Sequence, residues 1–217
     1  NSHILKKYFI QLLIRLNKYI SNSGVCSRRE ADVLISDGKI MINNVVITAL
    51  GTKVKSDDVV SYNGKVLKAE KHKYILINKP KNCITTVKDT HDRKTVMDII
   101  DGACVERLYP VGRLDRDTTG LLLMTNDGDL TKRLTHPSFG VKKKYVIQLE
   151  NSIHPNCLKE MVSGIHLEDG EVKYDEVKYG RQGTDRTQLI VTLHSGKNRV
   201  IRRTMEYFDK HLLHLDR

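Results

Sequence analysis

No stretch of the 217-residue chain is apolar for long enough to cross a bilayer as a helix, and no tract is repetitive or of low complexity. Helical membrane proteins and repeat arrays are thereby set aside. The four cysteines, Cys26, Cys83, Cys104 and Cys157, are scattered, with neither a CxxC pair nor the density of a disulfide framework, so thiols in a reducing cytoplasm are expected. The sequence also lacks GxxxxGK[ST], GxGxxG and GxSxG, which removes the usual support for ATP, dinucleotide and serine-hydrolase chemistry. Metal ligands are equally thin. HxxH occurs only as His211-Leu212-Leu213-His214, with no HExxH and no cysteine beside it, and reads as a chance pairing. Asp115-Arg116-Asp117 and Asp127-Gly128-Asp129 are acidic steps able to hold magnesium, but the second lacks the remaining ligands of an EF-hand and is more economically a turn.

What is present is positive charge. Lys and Arg number 37 against 26 Asp and Glu, a net charge of +11, and residues 1–72 carry 12 basic and 6 acidic side chains. Such a basic front end attracts a polyanion; nucleic acid is the commonest, and an anionic membrane surface stays open on charge alone. Hydrophobic residues at 39% and charged residues at 29% describe a soluble chain, long enough for one large domain or two modest ones. The N-terminal NSHILKKYFIQLLIRL places two lysines before an apolar run, as a signal peptide does. Gln11 and Arg15 interrupt it and no small-residue cleavage site follows, so a helical lead-in is expected.

The pattern from Arg15 to Ile20 is helical, and Ser27-Arg28-Arg29-Glu30 has the spacing of a capping box that opens a second helix, with Ala31, Leu34 and Ile35 on one face and Gly38 at its end. KIMINNVVI and VVSYNGKVL then read as β-hairpins about Asn43-Asn44 and Asn63-Gly64. These elements define a first domain at 14–67, followed by a charged, apolar-poor linker at 68–72 and a larger domain at 73–217. In the latter, strands are expected at YILIN, LLLMT, KYVIQL, EVKYDEVKY and QLIVTLH. Helices are expected near TVMDII, LTKRL, PNCLKEMV (Pro155 first, Gly164 as stop) and NRVIRRTMEYF. Strands outnumber helices without βαβ alternation, so the fold class is α+β with a mixed, mainly antiparallel sheet.

Around the first two helices, Arg15, Lys18, Arg28 and Arg29 gather near a capped helix terminus, an arrangement that suits phosphates and equally suits a solvated helix face. The order of features in RLNKYISNSGVCSRREADVLISDGKIMINNVVI resembles the S-four-like RNA-binding domain over about 50 residues. The resemblance implies a grip on structured RNA, read by shape and backbone, through Arg15, Lys18, Ser27, Arg28, Arg29 and Lys39.

The densest unusual stretch is YPVGRLDRDTTGLLLMTNDGDLTKRL, where Gly112 and Gly120 permit a tight loop and Leu121 to Met124 anchor it as a strand. From spacing alone Asp115 sits in a structural turn. GRLDRDTTGLLLMTNDG, however, closely resembles the nucleophile motif of pseudouridine synthases of the RsuA/RluB type. INKPKNCITT, KKKYVIQL and GKNRVIRR follow that family's supporting motifs in order, and with the front domain nearly the whole chain is covered. The resemblance implies a pseudouridine synthase fold and an isomerase that detaches the base of a uridine in RNA, turns it and rejoins it through C5, with no metal, nucleotide or redox cofactor. It assigns Asp115 as nucleophile, Tyr145 as the residue packed on the base, and Arg202 as the cation that keeps a carboxylate ionised in a water-poor pocket. Arg113 fills the place the extruded base vacates, Lys79 and Pro80 shape the pocket wall, and Arg199 contacts substrate.

This sequence departs from the family pattern at Val200, where Gln is frequent, and at Asn82, where many members have Gly. The pattern also runs on past the final HLLHLDR with a further short β segment, so either the chain is truncated or this homologue is short, and the pairing of the last strand is left open. The expected partner is ribosomal RNA or a pre-ribosomal particle, with large-subunit RNA favoured by details such as YPVGRLDRDTTG, LTHPSFGVKKKY and GIHLEDGE. We expect a cytoplasmic monomer with no membrane association. The rival is a non-catalytic RNA-binding or ribosome-assembly factor that retains the fold, although such a binder has no need of Asp115, Tyr145 and Arg202 together.

Overall fold

Ser27-Arg28-Arg29-Glu30 forms the reciprocal cap its spacing predicts: the Glu30 N–H donates to Ser27 Oγ at 3.3 Å, and the Ser27 N–H donates to the Glu30 carboxylate at 2.7 Å. The computed structural model that contains it describes residues 13–180 and 185–217, so most of the expected N-terminal lead-in lies outside the described residues. The chain divides into two units, one ending at His72 and the other spanning Lys73–Arg217.

The first unit begins with strand β1 (Ile14–Arg15), so Arg15 precedes the helix rather than opening it, because it pairs with Lys53 of β4 (Lys53–Val54). Helices α1 (Leu16–Asn22) and α2 (Arg28–Ser36) follow, then β2 (Ile40–Ile42), β3 (Val45–Ile47), β5 (Val60–Tyr62) and β6 (Lys65–Val66), in the sheet order β3-β2-β5-β6. Asn43 and Asn44, at φ +50° and +67°, and Asn63 and Gly64, at +48° and +73°, make the left-handed two-residue turns that suit the twist of a hairpin. Leu16, Ile20, Ala31, Ile35, Ile40, Val54 and Val60 close one apolar core between the helices and this sheet. The segment read as a linker is tied to this unit, since the Glu70 N–H donates to the Asn22 carbonyl at 2.9 Å.

In the second unit, β7 (Tyr74–Lys79), β8 (Tyr109–Pro110) and β9 (Gly120–Thr125) form an antiparallel sheet in the order β7-β9-β8, with α3 (Val96–Ile99) beside it. After α4 (Gly128–Thr135) come β10 (Lys143–Leu149), α5 (Pro155–Ser163) and the hairpin β11 (Ile165–Leu167) and β12 (Gly170–Val172). The chain continues through β13 (Glu176–Tyr179), β14 (Gln188–Leu193), α6 (Val200–Tyr207) and β15 (Leu212–Asp216). β13, β14, β10 and β15 make a four-stranded antiparallel sheet in that order. Its alternating inner residues Ile147, Leu149, Leu189, Val191 and Leu193 bury against Met161 of α5 and Ile201 and Met205 of α6. Each such side chain stabilises the unit by about 1.5–3 kcal/mol relative to exposure.

EVKYDEVKY, expected as one strand, is two. Tyr174 turns inward instead of continuing the ladder: its N–H donates to the Met161 carbonyl at 3.0 Å and its buried hydroxyl donates to Thr204 Oγ1 at 2.9 Å. The Asp175 N–H then donates to the Thr192 carbonyl at 2.8 Å, so the chain leaves β12 and joins β14.

The last strand is paired: β15 runs antiparallel to β10, Asp216 opposite Val146 and Leu212 opposite Leu149. Its end also joins the other sheet through a parallel bridge from Asp216 to Thr119. Here the Leu121 N–H donates to the Arg217 carbonyl at 2.9 Å. Gly120 makes this approach possible, because at φ +112° a Cβ there would stand 2.4 Å from the Arg217 N and O atoms. The loop before β9 is thereby brought against β10 and α6.

Candidate active site

The loop between β8 and β9 presents Asp115 from a backbone held at three points. Leu114 is buried and exchanges two hydrogen bonds with Thr85: its N–H donates to Oγ1 at 3.2 Å, and Oγ1 donates to its carbonyl at 2.7 Å. Behind the next residue, the Lys79 ammonium donates to the carbonyls of Cys83, Pro80 and Arg116 at 2.7, 3.0 and 3.2 Å. Finally the Thr118 N–H donates to the Asp115 carbonyl at 3.1 Å, closing the turn. The carboxylate is therefore aimed by its neighbours, not by its own rotamer alone.

What it meets is Arg202, on the first turn of α6. Nε lies 3.6 Å from Asp115 Oδ2, and a terminal nitrogen donates to Thr118 Oγ1 at 3.4 Å. Of this pair the arginine is the more enclosed, with 16% of its side chain exposed against 44% for the aspartate. The expectation of a carboxylate sunk in a water-poor pocket is thus corrected: in the free protein Asp115 is solvated, because it stands at the mouth of an open cavity of about 430 Å³.

Tyr145 lines the same cavity from β10 and packs against both apolar cores of this unit, with Arg113 and Arg199 also on the wall. Arg199 enters α6 in the left-handed region at φ +46°. Two expected wall residues are elsewhere. Lys79 is fully buried behind the loop, its reach spent on the three carbonyls, and Pro80 is exposed and does not line the cavity. Burial pushes the Lys79 ammonium pKa down. Asn82 sits at φ +58°, a conformation glycine and asparagine tolerate best, so its departure from the family's glycine preserves the backbone. Val200 is buried and lines the cavity with an apolar surface.

Sequence reasoning missed Thr118, Lys143, Lys197 and Arg217, all of which line the cavity. Lys143 was reachable, since it lies two residues before Tyr145 and strand alternation puts both on one face. Burial, and then the charge of Arg217, push the Lys143 pKa down. The wall is thus strongly cationic around one carboxylate, a setting that attracts an anionic ligand. Among the described residues no group of three His, Cys, Asp or Glu could hold a metal ion, and no helix is long and apolar enough to cross a membrane. Asp127 caps α4 instead, accepting from the Asp129 and Leu130 N–H groups at 3.1 and 2.9 Å.

In the first unit, Arg15, Arg28, Arg29 and Lys39 are exposed, and Lys18 is half-buried. An Arg28 terminal nitrogen donates to Asn17 Oδ1 at 3.3 Å, while Lys39 pairs with Asp37 at 2.9 Å. Ser27 differs from the others because its hydroxyl is engaged in the cap of α2.

The profile of RNA pseudouridylate synthases matches residues 73–207, the unit that holds this cavity, and that of the S4 domain matches residues 14–60. The chain belongs to the RNA pseudouridine synthase family. Within that family it is of the RsuA/RluB type, an isomerase with an N-terminal S4 domain. The ribosomal large subunit pseudouridine synthase B of Bacillus subtilis is 38% identical, the match covering 94% of this chain and 84% of that one. The dual-specificity RNA pseudouridine synthase RluF of Escherichia coli is 35% identical, over 94% and 69% of the two chains. A crystal structure of a pseudouridylate synthase superposes with a TM-score of 0.63 at 24% identity, covering 94% of this chain and 86% of that one, and shows the shared fold. The mixed α+β reading, with antiparallel sheets, agrees with it.

Proposed function

We propose that this synthase converts one or a few uridines of ribosomal RNA, in the large subunit, to pseudouridine, with Asp115 as the nucleophile. The observation that carries the assignment is the 3.6 Å approach of Arg202 to the Asp115 carboxylate at a cavity that Tyr145 also lines. A stacked uridine is out of reach of this carboxylate, so the nucleotide is extruded at a cost of a few kcal/mol, and Arg113 takes the vacated place in the RNA stack. Asp115 attacks the extruded nucleotide, at the sugar or at the base, and is held to it by a covalent bond while the base turns. The N1–C1′ bond breaks, a C5–C1′ bond forms, C5 loses a proton as N1 gains one, and the bond to Asp115 breaks again to return the free carboxylate. Tyr145 packs on the turning base and holds it during rotation.

The large-subunit address is supported by the similarity to the Bacillus subtilis enzyme. Pseudouridine mapping in ribosomal RNA from cells with and without the protein tests it. One or a few large-subunit sites are expected to be lost; loss confined to small-subunit RNA overturns the address, and an unchanged map overturns the ribosomal substrate.

In this reading the first domain, 14–67, grips RNA through Arg15, Lys18, Arg28, Arg29 and Lys39, while Ser27 contributes by fixing the start of α2. Joined by the segment 68–72, it raises the effective concentration of RNA at the catalytic domain, 73–217. Reversing Arg28 and Arg29 to Glu together is expected to weaken RNA binding about tenfold or more at low salt, and by only about twofold at several-fold higher salt, because phosphate contacts act through counterion release. Titrations at two ionic strengths check this. An equal loss at both would make the arginines structural.

A further inference from the structure

The β11–β12 hairpin turns through Leu167-Glu168-Asp169-Gly170, part of the GIHLEDGE stretch, and the chemistry proposed above gives it no part. Its tip is nevertheless bound to the active-site wall. The Asp169 carboxylate accepts from both terminal nitrogens of Arg203, at 2.8 and 2.9 Å, and the remaining nitrogen, Nε, donates to the Asn198 carbonyl at 2.9 Å. Lys197 Nζ donates to the Asp169 carbonyl at 2.7 Å and lies 3.5 Å from its carboxylate. The side chains of Arg203 and Lys197 keep only 24% and 27% of their exposure and Asp169 43%, so the two cations are partly enclosed and the pairing is bidentate, although the carboxylate itself faces solvent. The Arg203 guanidinium holds the Asp169 carboxyl down at a pKa of about 2, in keeping with the bidentate contact.

The loop it grips, Lys197–Arg199, makes few polar contacts of its own among the described residues, and apolar anchorage begins only with the buried Val200 and Ile201. Between β14 and α6 the chain passes Gly196, reaches Arg199 at φ +46°, and enters α6 with no side-chain cap. Its local bonds are few: the Lys197 N–H donates to Ser195 Oγ at 3.2 Å, and the Arg203 N–H to the Arg199 carbonyl at 3.1 Å. The loop that enters α6 therefore lacks the side-chain bond that ordinarily fixes a helix entry. Yet Lys197, Asn198 and Arg199 line the cavity, and Arg202, which meets Asp115, sits on the same first turn as Arg203.

We infer that Asp169 is a positioning residue: from outside the cavity it grips Arg203 and Lys197, sets the loop Lys197–Arg199 and the start of α6, and so keeps Arg202 on Asp115. The same grip withholds two cations from RNA phosphate. This rests on the assignment of Asp115 and Arg202 to the reaction. The two effects oppose each other in binding and combine in turnover, which gives the role a signature that general destabilisation lacks.

The test compares Asp169→Asn with wild type in the full-length protein, by single-turnover conversion at saturating RNA and by RNA titration at two salt concentrations. The expected result is a rate at least about tenfold lower, with affinity unchanged or up to about threefold tighter and more steeply salt-dependent. Arg203→Lys, which keeps the charge but not the fork, falls between the two, and Glu168→Gln, one residue away, behaves as wild type. An unchanged rate in Asp169→Asn, a rate recovered fully at higher RNA, or a fall matched by loss of folded protein in circular dichroism would each overturn the inference. Asp115→Asn run alongside separates the two readings. If it is active, the nucleophile assignment fails and this inference with it; if it is inactive beside a fully active Asp169→Asn, the positioning role alone fails.

Discussion

Asp115→Asn is expected to lower pseudouridine formation by at least about 10³-fold while leaving RNA affinity within about tenfold, or about 1.4 kcal/mol. The substitution is nearly isosteric, and the loop that carries residue 115 is held through Leu114, Arg116 and Thr118 rather than through the carboxylate itself. Asparagine still offers an oxygen to Arg202, whose other contact, Thr118 Oγ1 at 3.4 Å, is untouched. The carboxylate is also 44% exposed, so its loss leaves no buried cavity. What disappears is the negative, nucleophilic oxygen. Single-turnover conversion and titration of the same RNA check the two halves separately: retained activity would remove Asp115 from the role of nucleophile, and parallel loss of affinity would make it a binding residue.

The second large effect is on stability. Lys79→Met is expected to destabilise the catalytic unit by about 2–4 kcal/mol and to lower its melting temperature by roughly 5–15 °C. Methionine fills much of the same space without donating to the carbonyls of Pro80, Cys83 and Arg116, and each buried acceptor left unpaired costs about 1–3 kcal/mol. Removing a buried ammonium returns part of that sum, because burial already disfavours its charged form, and this offset keeps the estimate below the total for three acceptors. Turnover measured well below the melting temperature is expected to fall as well, since the Arg116 carbonyl next to Asp115 is released. Thermal denaturation followed by circular dichroism measures the first effect. A melting temperature within a degree or two of wild type would show that the three contacts hold nothing in place.

Lys79 also marks where reading the chain stops working. A lysine after a strand is ordinarily an exposed residue, and its family motif pointed to a pocket wall; only the fold decides that its stem runs inward behind the loop it supports. Tyr174 is a similar case. Alternation over EVKYDEVKY predicts one uninterrupted strand, and the break appears because Met161 and Thr204, distant in sequence, offer Tyr174 a buried partner for each of its donors. Local rules, by contrast, sufficed wherever the partner lay within a few residues, as in the Ser27–Glu30 cap, the Asn43-Asn44 and Asn63-Gly64 turns, and Pro155 and Gly164 bounding α5.

The candidate site divides along the same line. Asp115, Tyr145 and Arg202 were picked out by motif, and the left-handed backbone at Asn82 explains how a departure from the motif is tolerated. Lys143, Lys197, Thr118 and Arg217 were not picked out, because a residue's place on a cavity wall depends on which strands pair, and residues 143 and 217 come together only through the β10–β15 and β9–β15 junctions.

By itself, then, the sequence determined the short-range elements, the excess of positive charge and the family, and it singled out the acidic residue on which the proposed chemistry rests. These depend on side-chain type and on spacing of a few residues. The tertiary structure alone decided that this acid stands in solvent while its arginine is enclosed, that Lys79 is a strut and not a wall, and that Asp169 reaches the active-site loop. Each of those includes a meeting of groups about 30 or more residues apart in the chain, for Lys79 its bond to the Arg116 carbonyl, and such meetings are settled by how the sheets join and which surfaces the core leaves open.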